Sequence, residues 1–239
     1  MPSKKEELYD QLSQLKNKVT QIETNLSLIS SRVIHNEITQ KDLQKQISDI
    51  TIHMTNIPPY DELIAQKTFE PFTDDLKKFT EKEKYEVVYD SIKDGFTSHT
   101  INNVIQNKNN VMIVVETNNG NVFGSFSSAV IPNSEKTGYG FYVTKDPGFF
   151  LFCLAGKSVL KPKKYTKKDT MYSLKMYSDD NEEFVVGSHC GFYVGATRNS
   201  FISNKMPLFY NGIDNVDEIV GMHFPNTFTV SRVCALVWS

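Results

Sequence analysis

Two short segments of the sequence contain residues that proteins use for phosphate binding or nucleophilic attack. Gly156-Lys157-Ser158 resembles the end of a phosphate-binding loop, but the full motif requires a glycine where this chain has Leu151. His189-Cys190 places a thiol beside a potential base. Because neighbouring residues of a strand point to opposite faces, we expect that His189 does not activate Cys190. Neither segment therefore predicts a catalytic or nucleotide-binding site.

The cysteines and histidines do not have the spacing of a metal site. Cys153, Cys190 and Cys234 lack any Cys-x-x-Cys arrangement, and the five histidines are scattered. Three unclustered cysteines indicate reduced thiols that pack as small hydrophobic residues in a cytoplasmic protein. We expect no cofactor, no metal and no catalytic residue, and hence a protein that is not an enzyme. An enzyme of unknown class that uses Cys190 or a histidine stays open as an alternative.

Two runs of like charge lie in the C-terminal half. The basic run consists of Lys161, Lys163, Lys164, Lys167 and Lys168. The acidic run consists of Asp179, Asp180, Glu182 and Glu183. Neither has the ligand pattern of a calcium loop, and we expect both in solvated loops. The segment Lys161–Lys168 is a candidate for peripheral contact with anionic lipid or an acidic partner, whereas a net charge of -2 argues against nucleic-acid binding.

The elements that must position these residues fall into two parts of different composition. All twelve glycines lie at or after Gly95, and all sixteen phenylalanines lie at or after Phe69. Pro58 and Pro59 break any helix that precedes them. The sequence thus predicts three segments: a coiled coil for oligomerisation over 1–57, a linker with short helices over 58–84, and a β-rich domain over 85–239.

A heptad repeat precedes the double proline. Apolar residues occupy thirteen of fifteen core positions, and a 3.5-residue period over seven heptads predicts a coiled coil. Asn36 and Gln40 form one polar layer within it. The predicted oligomerisation residues are Leu8, Leu12, Leu15, Val19, Ile22, Leu26, Ile29, Val33, Asn36, Gln40, Leu43, Ile47, Ile50, Met54 and Ile57.

The charges that flank this seam favour parallel helices. In a parallel pair Lys18 would meet Glu23 of the other copy, although exposed ion pairs contribute only about 0.2–1 kcal/mol each. Isoleucines at the second core position of the heptad favour trimers or tetramers. A parallel dimer is our preferred prediction, and a trimer or tetramer stays open.

The patterns after residue 68 predict short helices and antiparallel strands. Asn119-Gly120 between two β-prone runs predicts a hairpin over 111–128. The apolar run 149–154 predicts a strand buried on both faces, and segments 183–195 and 227–239 predict further strands.

Two short helices complete the predicted fold. The segment 94–106 predicts one that begins at Thr97 or Ser98. Phe69, Phe72, Leu76 and Phe79 recur at helical spacing and predict another that packs on the β domain. The predicted fold class is α+β: a long N-terminal coiled-coil helix, then an antiparallel β-sandwich with short flanking helices.

The C-terminal part resembles the TLDc domain family. The segments Tyr89–Phe96, Asn121–Phe126 and Asp146–Phe152 occur in the family's order, and a coiled coil ahead of such a domain is similar to the arrangement in protist members. The later landmarks are glycine-bounded strands, Asn199-Ser200 and a closing strand. The residues that carry the resemblance are Asp94, Gly95, Phe96, Phe123, Gly124, Phe150, Phe152, Gly187, Gly191 and Trp238.

The resemblance implies a β-sandwich with small helices and no established catalytic mechanism. Members are linked to protection against oxidative stress, and several bind the vacuolar ATPase, so it implies a protein partner of this kind. A purely structural coiled-coil protein is the alternative. The segment 232–238 lacks the acids that many members have in the closing strand, and Gly124-Ser125 stands where the family has two glycines. Functions that depend on those residues are in doubt for this chain.

Overall fold

A computed structural model describes residues 15–27, 30, 40–41, 43–45, 68–134, 138–169, 171–197 and 199–239. The chain divides into two units, Met1–Leu63 and Ile64–Ser239. The predicted segment boundaries at 57 and 84 stay predictions.

The described part of the first unit is helical. Residues 15–27 form helix α1, and residues 30, 40–41 and 43–45 are also helical. The predicted core residues on α1 have heptad spacing and are exposed in the single chain. They are Leu15, Val19, Ile22 and Leu26, with exposed fractions from 48% to 64%. The structure shows a 13-residue helix in this segment and does not show the predicted long coiled-coil helix. Nine predicted core residues lie outside the described residues: Leu8, Leu12, Ile29, Val33, Asn36, Ile47, Ile50, Met54 and Ile57.

The described residues of the second unit form eleven strands and several short helices. The strands are β1 (Tyr85–Asp90), β2 (Val111–Thr117), β3 (Val122–Ser127), β4 (Phe141–Thr144), β5 (Phe150–Ala155), β6 (Lys163–Thr166), β7 (Tyr172–Met176), β8 (Phe184–Ser188), β9 (Phe192–Gly195), β10 (Asn199–Ile202) and β11 (Phe228–Trp238). The helices are η1 (Glu70–Phe72), α2 (Thr73–Thr80), α3 (Ser91–Asp94), α4 (Ser98–Ile105), α5 (Met206–Phe209) and η2 (Val216–Glu218).

All eleven strands belong to one antiparallel sheet that folds into two layers. The strand order is β4-β7-β8-β9-β10-β11-β2-β3-β5-β6, and β1 pairs with β11. We call β1, β11, β2, β3, β5 and β6 the first layer, and β4, β7, β8, β9 and β10 the second layer. The layers are joined where Asn199 and Ser200 pair with Thr229 and Phe228. This arrangement agrees with the predicted β-sandwich.

Inward residues of both layers form one core. Ile113 and Leu151 of the first layer belong to the same buried cluster as Val186 and Val194 of the second. The rings of Phe123 and Phe192 meet edge to face, with 5.5 Å between their centroids. Since side chains alternate along a strand, the remaining residues of each layer face outward.

The outer face of the first layer is covered by η1 and α2. Phe69 and Leu76 are fully buried there against Met112, Val114 and Phe152. Burial of one such side chain stabilises the fold by about 1.5–3 kcal/mol. The prediction of an amphipathic helix that packs on the β domain is confirmed, as is the prediction that 149–154 forms a strand buried on both faces.

Several other local predictions are confirmed. β2 and β3 form the predicted hairpin, with Gly120 at a φ of +78° in its turn. α4 begins at a capping box in which Thr97 and Thr100 satisfy each other's backbone N–H groups. The segment 227–239 forms the closing strand β11. Within the part of the chain that the structure describes, no helix has the length and apolar character needed to cross a bilayer.

Candidate functional site

The outer face of the second layer carries a row of residues that pair directly across five strands. The pairing runs from Tyr142 through Lys175, Gly187 and Tyr193 to Phe201. Their neighbours along each strand point into the shared core, so these five face away from it. All except Gly187 are half-buried. We call them, together with the rings that contact them, the aromatic face.

The rings of the aromatic face contact one another in a continuous series. Tyr193 and Phe201 are stacked, with 4.8 Å between centroids. Phe224, whose exposed fraction is 50%, lies 5.2 Å beyond Phe201. On the other side Phe184 lies 6.3 Å from Tyr193 and stacks on Tyr177 at 5.1 Å. The strands beneath hold these rings in a fixed order, which is the preorganisation that a recognition surface needs.

One cation lies in the middle of this face. Lys175 Nζ is 4.7 Å from the centroid of the Tyr142 ring and 5.3 Å from that of the Tyr177 ring. Both distances allow a cation–π interaction. Burial and a hydrogen bond with Tyr142 raise the pKa of Tyr193, so its hydroxyl stays neutral at physiological pH. The face therefore combines neutral aromatic rings with one ammonium group.

His189 and Cys190 lie at the edge of the aromatic face, in the turn between β8 and β9. The expectation that their side chains point apart is wrong, because both residues leave the strand and Cys190 has a φ of +51°. The Cys190 sulfur lies 3.6 Å from His189 Nε2. The His189 ring packs against Tyr142, Tyr172 and Phe209 at centroid distances of 5.3, 5.4 and 4.9 Å.

The environment of this pair does not activate the thiol. Burial raises the pKa of Cys190, and burial together with nearby Lys167 lowers the pKa of His189. At neutral pH the contact is thus between a thiol and an uncharged imidazole, whereas a reactive cysteine needs a lowered pKa. Cys153 and Cys234 pack in the interior as expected, but Cys190 is only half-buried, so the expectation of core packing is wrong for it.

In the segment after β5, backbone N–H groups form hydrogen bonds with other parts of the fold. The N–H groups of Lys157 and Ser158 donate to the carbonyl oxygens of Ile219 and Glu218 at 2.9 and 3.0 Å. A phosphate-binding loop would point such groups at its ligand. The geometry agrees with the interpretation that Gly156-Lys157-Ser158 is a turn at the end of a strand.

The basic run is not a solvated loop, because Lys163 and Lys164 begin the edge strand β6. Four of its five ammonium groups contact other residues of the chain. The Nζ contacts are Lys163 with Glu218 at 3.1 Å, Lys164 with the Phe79 carbonyl at 2.7 Å, Lys167 with Asp169 at 2.7 Å, and Lys168 with the Pro207 carbonyl at 2.8 Å. The two ion pairs, with Glu218 and Asp169, reduce the positive charge offered to a membrane. A peripheral membrane contact through Lys161–Lys168 stays a prediction.

Comparison with known protein families identifies the fold. A family model for the TLDc domain matches residues 59–218, which is more than half of the chain. The chain belongs to the TLDc domain family. No curated protein matches its sequence significantly. The resemblance inferred from the sequence motifs is confirmed, and membership indicates in general a non-catalytic interaction module related to oxidative stress.

The TLDc match includes the helical segment ahead of β1. The match begins at residue 59, ahead of η1 and α2, which cover the first layer. The match ends at residue 218, although β11 pairs with β1, β2 and β10 and so lies at the centre of the fold. The fold of this TLDc protein therefore needs elements on both sides of the predicted boundary at residue 84.

The TLDc motif residues build the fold rather than a reactive site. The Asp94 carboxylate accepts a hydrogen bond from the Asp90 backbone N–H at 2.7 Å, and Gly95, at a φ of +93°, accepts one from the Tyr89 hydroxyl at 2.7 Å. A Cβ on Gly124 would lie 1.8 Å from the Ile113 carbonyl oxygen. Gly187 lies within β8, where an added Cβ would be 3.0 Å from the Phe192 carbonyl oxygen. The remaining members are packed in or against the two buried clusters or lie at a tight turn: Phe96, Phe123, Phe150, Phe152, Gly191 and Trp238.

A buried ion pair joins β1 to the closing strand, and sequence analysis missed it. Arg232 donates two hydrogen bonds to the Asp90 carboxylate, one of them from Nε at 3.0 Å, and the side chains are 3% and 5% exposed. Burial alone would raise the pKa of Asp90, but the hydrogen bonds from Arg232 lower it overall. A lone charge in the apolar segment 230–238 was the signal that could have revealed this pair.

Glu116 connects the same charge cluster to the segment that covers the first layer. It lies opposite Arg232 in the register of β2 and β11. Its Oε1 accepts a hydrogen bond from the Thr68 backbone N–H at 3.1 Å. Burial raises the pKa of Glu116. The closing strand of this TLDc protein thus supplies a cation, and acids of neighbouring strands supply the negative charge.

Proposed function

We propose that this TLDc protein is a non-enzymatic interaction module whose aromatic face binds a protein partner. The observation that carries the proposal is the row from Tyr142 to Phe201, which is held outward by paired strands and remains half-exposed. Aromatic side chains dominate the binding energy of protein interfaces because they bury large areas at little conformational cost. In the part of the chain that the structure describes, the opposite outer face is covered by η1 and α2.

The proposal includes self-association through α1. Its exposed Leu15, Val19, Ile22 and Leu26 form a stripe at heptad spacing, and apolar residues in this pattern are buried when helices pair. The occupant is a second copy of the chain, as a parallel dimer in our preferred version and as a trimer or tetramer in the alternatives. Such an oligomer presents several aromatic faces and thereby strengthens a weak contact by avidity.

The cellular context of the proposal comes from the family. Oxidative-stress response and regulation of the vacuolar ATPase are the contexts that TLDc membership favours, in a cytoplasmic protein. The raised pKa of Cys190 weighs against the alternative of an enzyme that acts through this thiol. The purely structural alternative predicts that changes to the aromatic face have no effect on binding.

Differential capture tests the aromatic face. The full chain, the double variant Phe201→Ser/Phe224→Ser and the control Val130→Ser/Leu160→Ser are used to recover proteins from cell extract. The control residues are exposed at 58% and 99% but lie outside the face. We expect the control to retain the stoichiometric partner of the unchanged chain and the double variant to lose it while its circular dichroism stays the same. Equal recovery by all three would overturn the proposal.

Light scattering tests self-association. The unchanged chain should have a mass that is a multiple of 27.3 kDa, and Ile22→Asp should reduce it to the single-chain value because a charge cannot be buried in the seam. Asn17→Asp adds the same charge away from the seam and should leave the mass unchanged. A single-chain mass for the unchanged protein at micromolar concentration would remove the coiled coil from the proposal.

A further inference from the structure

The border of the aromatic face at the loop between β7 and β8 is acidic. The residues from 176 to 197, which include this loop, β8 and β9, contain Asp179, Asp180, Glu182 and Glu183 but no lysine or arginine. Asp180, Glu182 and Glu183 are exposed. This region therefore has an excess of negative charge although the whole chain is nearly neutral.

The acidic loop is held close to the rings. Asn181 Oδ1 accepts hydrogen bonds from the backbone N–H groups of Glu183 and Phe184 at 3.1 and 2.7 Å. The Glu183 carbonyl accepts one from Ala196, next to the end of β9, at 2.8 Å. Asp179 binds the Asn102 amide at 2.8 Å. These bonds fix the start of the loop beside Tyr177 and its end beside Phe184.

The aromatic face already accommodates a cation of this chain in its middle. Lys175 lies between the Tyr142 and Tyr177 rings at 4.7 and 5.3 Å. Tyr193, Phe201 and Phe224 form the equivalent aromatic surface beside the acidic loop. Ring faces attract cations, and carboxylates at their border add to the same preference.

We infer that the aromatic face binds a basic segment of a partner protein, in which an arginine or lysine lies over the Tyr193 and Phe201 rings and a second cation meets Glu182 or Glu183. The inference rests on the proposed function and names the chemistry of the partner. Arginine is favoured over lysine because its planar guanidinium stacks on rings and is more weakly hydrated. Nucleic acids and anionic lipids are disfavoured because the acidic loop repels them.

Fluorescence anisotropy with the full chain tests this inference. The probes are labelled 12-residue Gly/Ser peptides that carry four arginines, four lysines or four glutamates at the same positions. We expect the arginine peptide to bind best, the lysine peptide more weakly and the glutamate peptide not at all. Added salt should weaken the binding of both basic peptides, because the exposed carboxylates are screened.

Two variants locate the binding and one controls for charge. Phe201→Leu keeps an apolar side chain but removes the ring, and should weaken arginine-peptide binding by about 2- to 30-fold. Glu182→Gln/Glu183→Gln should weaken it mainly at low salt. Glu83→Gln/Glu86→Gln removes the same charge from exposed positions around the start of β1 and should leave it unchanged.

The outcomes separate this inference from the proposed function. Failure of the arginine peptide to bind, equal binding of the glutamate peptide, or an unchanged affinity of Phe201→Leu would each overturn the inference. If the double variant Phe201→Ser/Phe224→Ser still loses its captured partner in that case, the face binds a partner of different chemistry and the proposed function stands.

Discussion

The two outer faces of the TLDc sandwich carry similar aromatic residues, but these residues are buried on one face and half-exposed on the other. On the first layer Phe150 and Phe152 are 2% and 0% exposed beneath η1 and α2. On the second layer Tyr193 and Phe201 are half-exposed, and Phe224 at their border is 50% exposed. Aromatic residues at alternate strand positions thus stabilise the fold on one side and remain available for contact on the other. Coverage by a neighbouring element, and not residue type, distinguishes a core face from a recognition face.

The two faces also differ in how their charges are used. On the first layer Arg232 and Asp90 are buried and paired, and Glu116 fixes the chain at Thr68. On the second layer Lys175 lies over rings near the surface. The outer face that η1 and α2 cover, which we call the sealed face, should therefore govern stability. The aromatic face, which is the open side of the sandwich, should govern binding. The following four experiments test that division.

The largest effect should come from the buried ion pair of the sealed side. Arg232→Ala leaves the Asp90 carboxylate buried without its partner, which typically costs about 3–5 kcal/mol of unfolding free energy. Urea unfolding followed by circular dichroism measures the change. Lys84→Ala, at an exposed position, is the control and should change the unfolding free energy by about 0.5 kcal/mol or less. Equal effects of both variants would contradict a structural role for the pair.

The next effect should come from the helix that seals the first layer. Leu76 lies on the buried side of α2 and is fully buried, and truncation of such a leucine to alanine costs about 2–5 kcal/mol through lost burial and the cavity that remains. The same unfolding measurement applies. We also expect Leu76→Ala to leave basic-peptide binding unchanged at temperatures where the variant is folded. A loss of binding without a loss of stability would reverse the assigned roles of the two faces.

A smaller effect on stability is expected on the open side. Phe224→Ala removes a ring whose exposed fraction is 50%, and a surface change of this kind should alter the unfolding free energy by about 0.5 kcal/mol or less. The same variant should weaken arginine-peptide binding, since the ring borders Phe201. Leu160→Ala, at 99% exposure and outside the face, should change neither quantity. A destabilisation as large as that of Leu76→Ala would mean that both faces are structural.

The smallest effect concerns Cys190 at the edge of the open side. Because burial raises the pKa of this thiol, alkylation by iodoacetamide should be slower than that of a free cysteine peptide at pH 7. Only the thiolate reacts, so the rate should rise as the pH increases toward the raised pKa. Cys190→Ser identifies the signal, and Cys153, whose pKa burial raises to about 12, should stay unmodified in the folded protein. Rapid labelling of Cys190 below pH 8 would revive the enzyme alternative.

Local features of this fold were predictable from the sequence because they depend on short patterns. The Asn119-Gly120 hairpin, the α4 cap at Thr97 and the apolar strand at 149–154 each involve residues within a few positions of one another. The turn at His189 and Cys190 was missed because a continuous β-prone segment does not reveal where a hairpin reverses. One misplaced turn was enough to reverse the expected relation between two adjacent side chains.

The candidate site was less predictable, because its residues come from strands that are distant in the sequence. Tyr142, Lys175, Tyr193 and Phe201 become one row only when β4, β7, β9 and β10 enter the same layer with the observed register. The basic and acidic runs were visible in the sequence, but their partners were not. Lys163 meets Glu218 and Asp179 meets Asn102 only in the folded chain.

The sequence by itself determined the family, the hairpins and helix caps, and the heptad spacing of the N-terminal segment, since each follows from residues close together along the chain. The tertiary structure decided which aromatic face is covered, which charges are neutralised and which side chains become neighbours. Asp90 and Arg232 are 142 positions apart, and no local pattern specifies such a contact. It arises because buried charges require partners and because strand order and register determine which partners lie within reach.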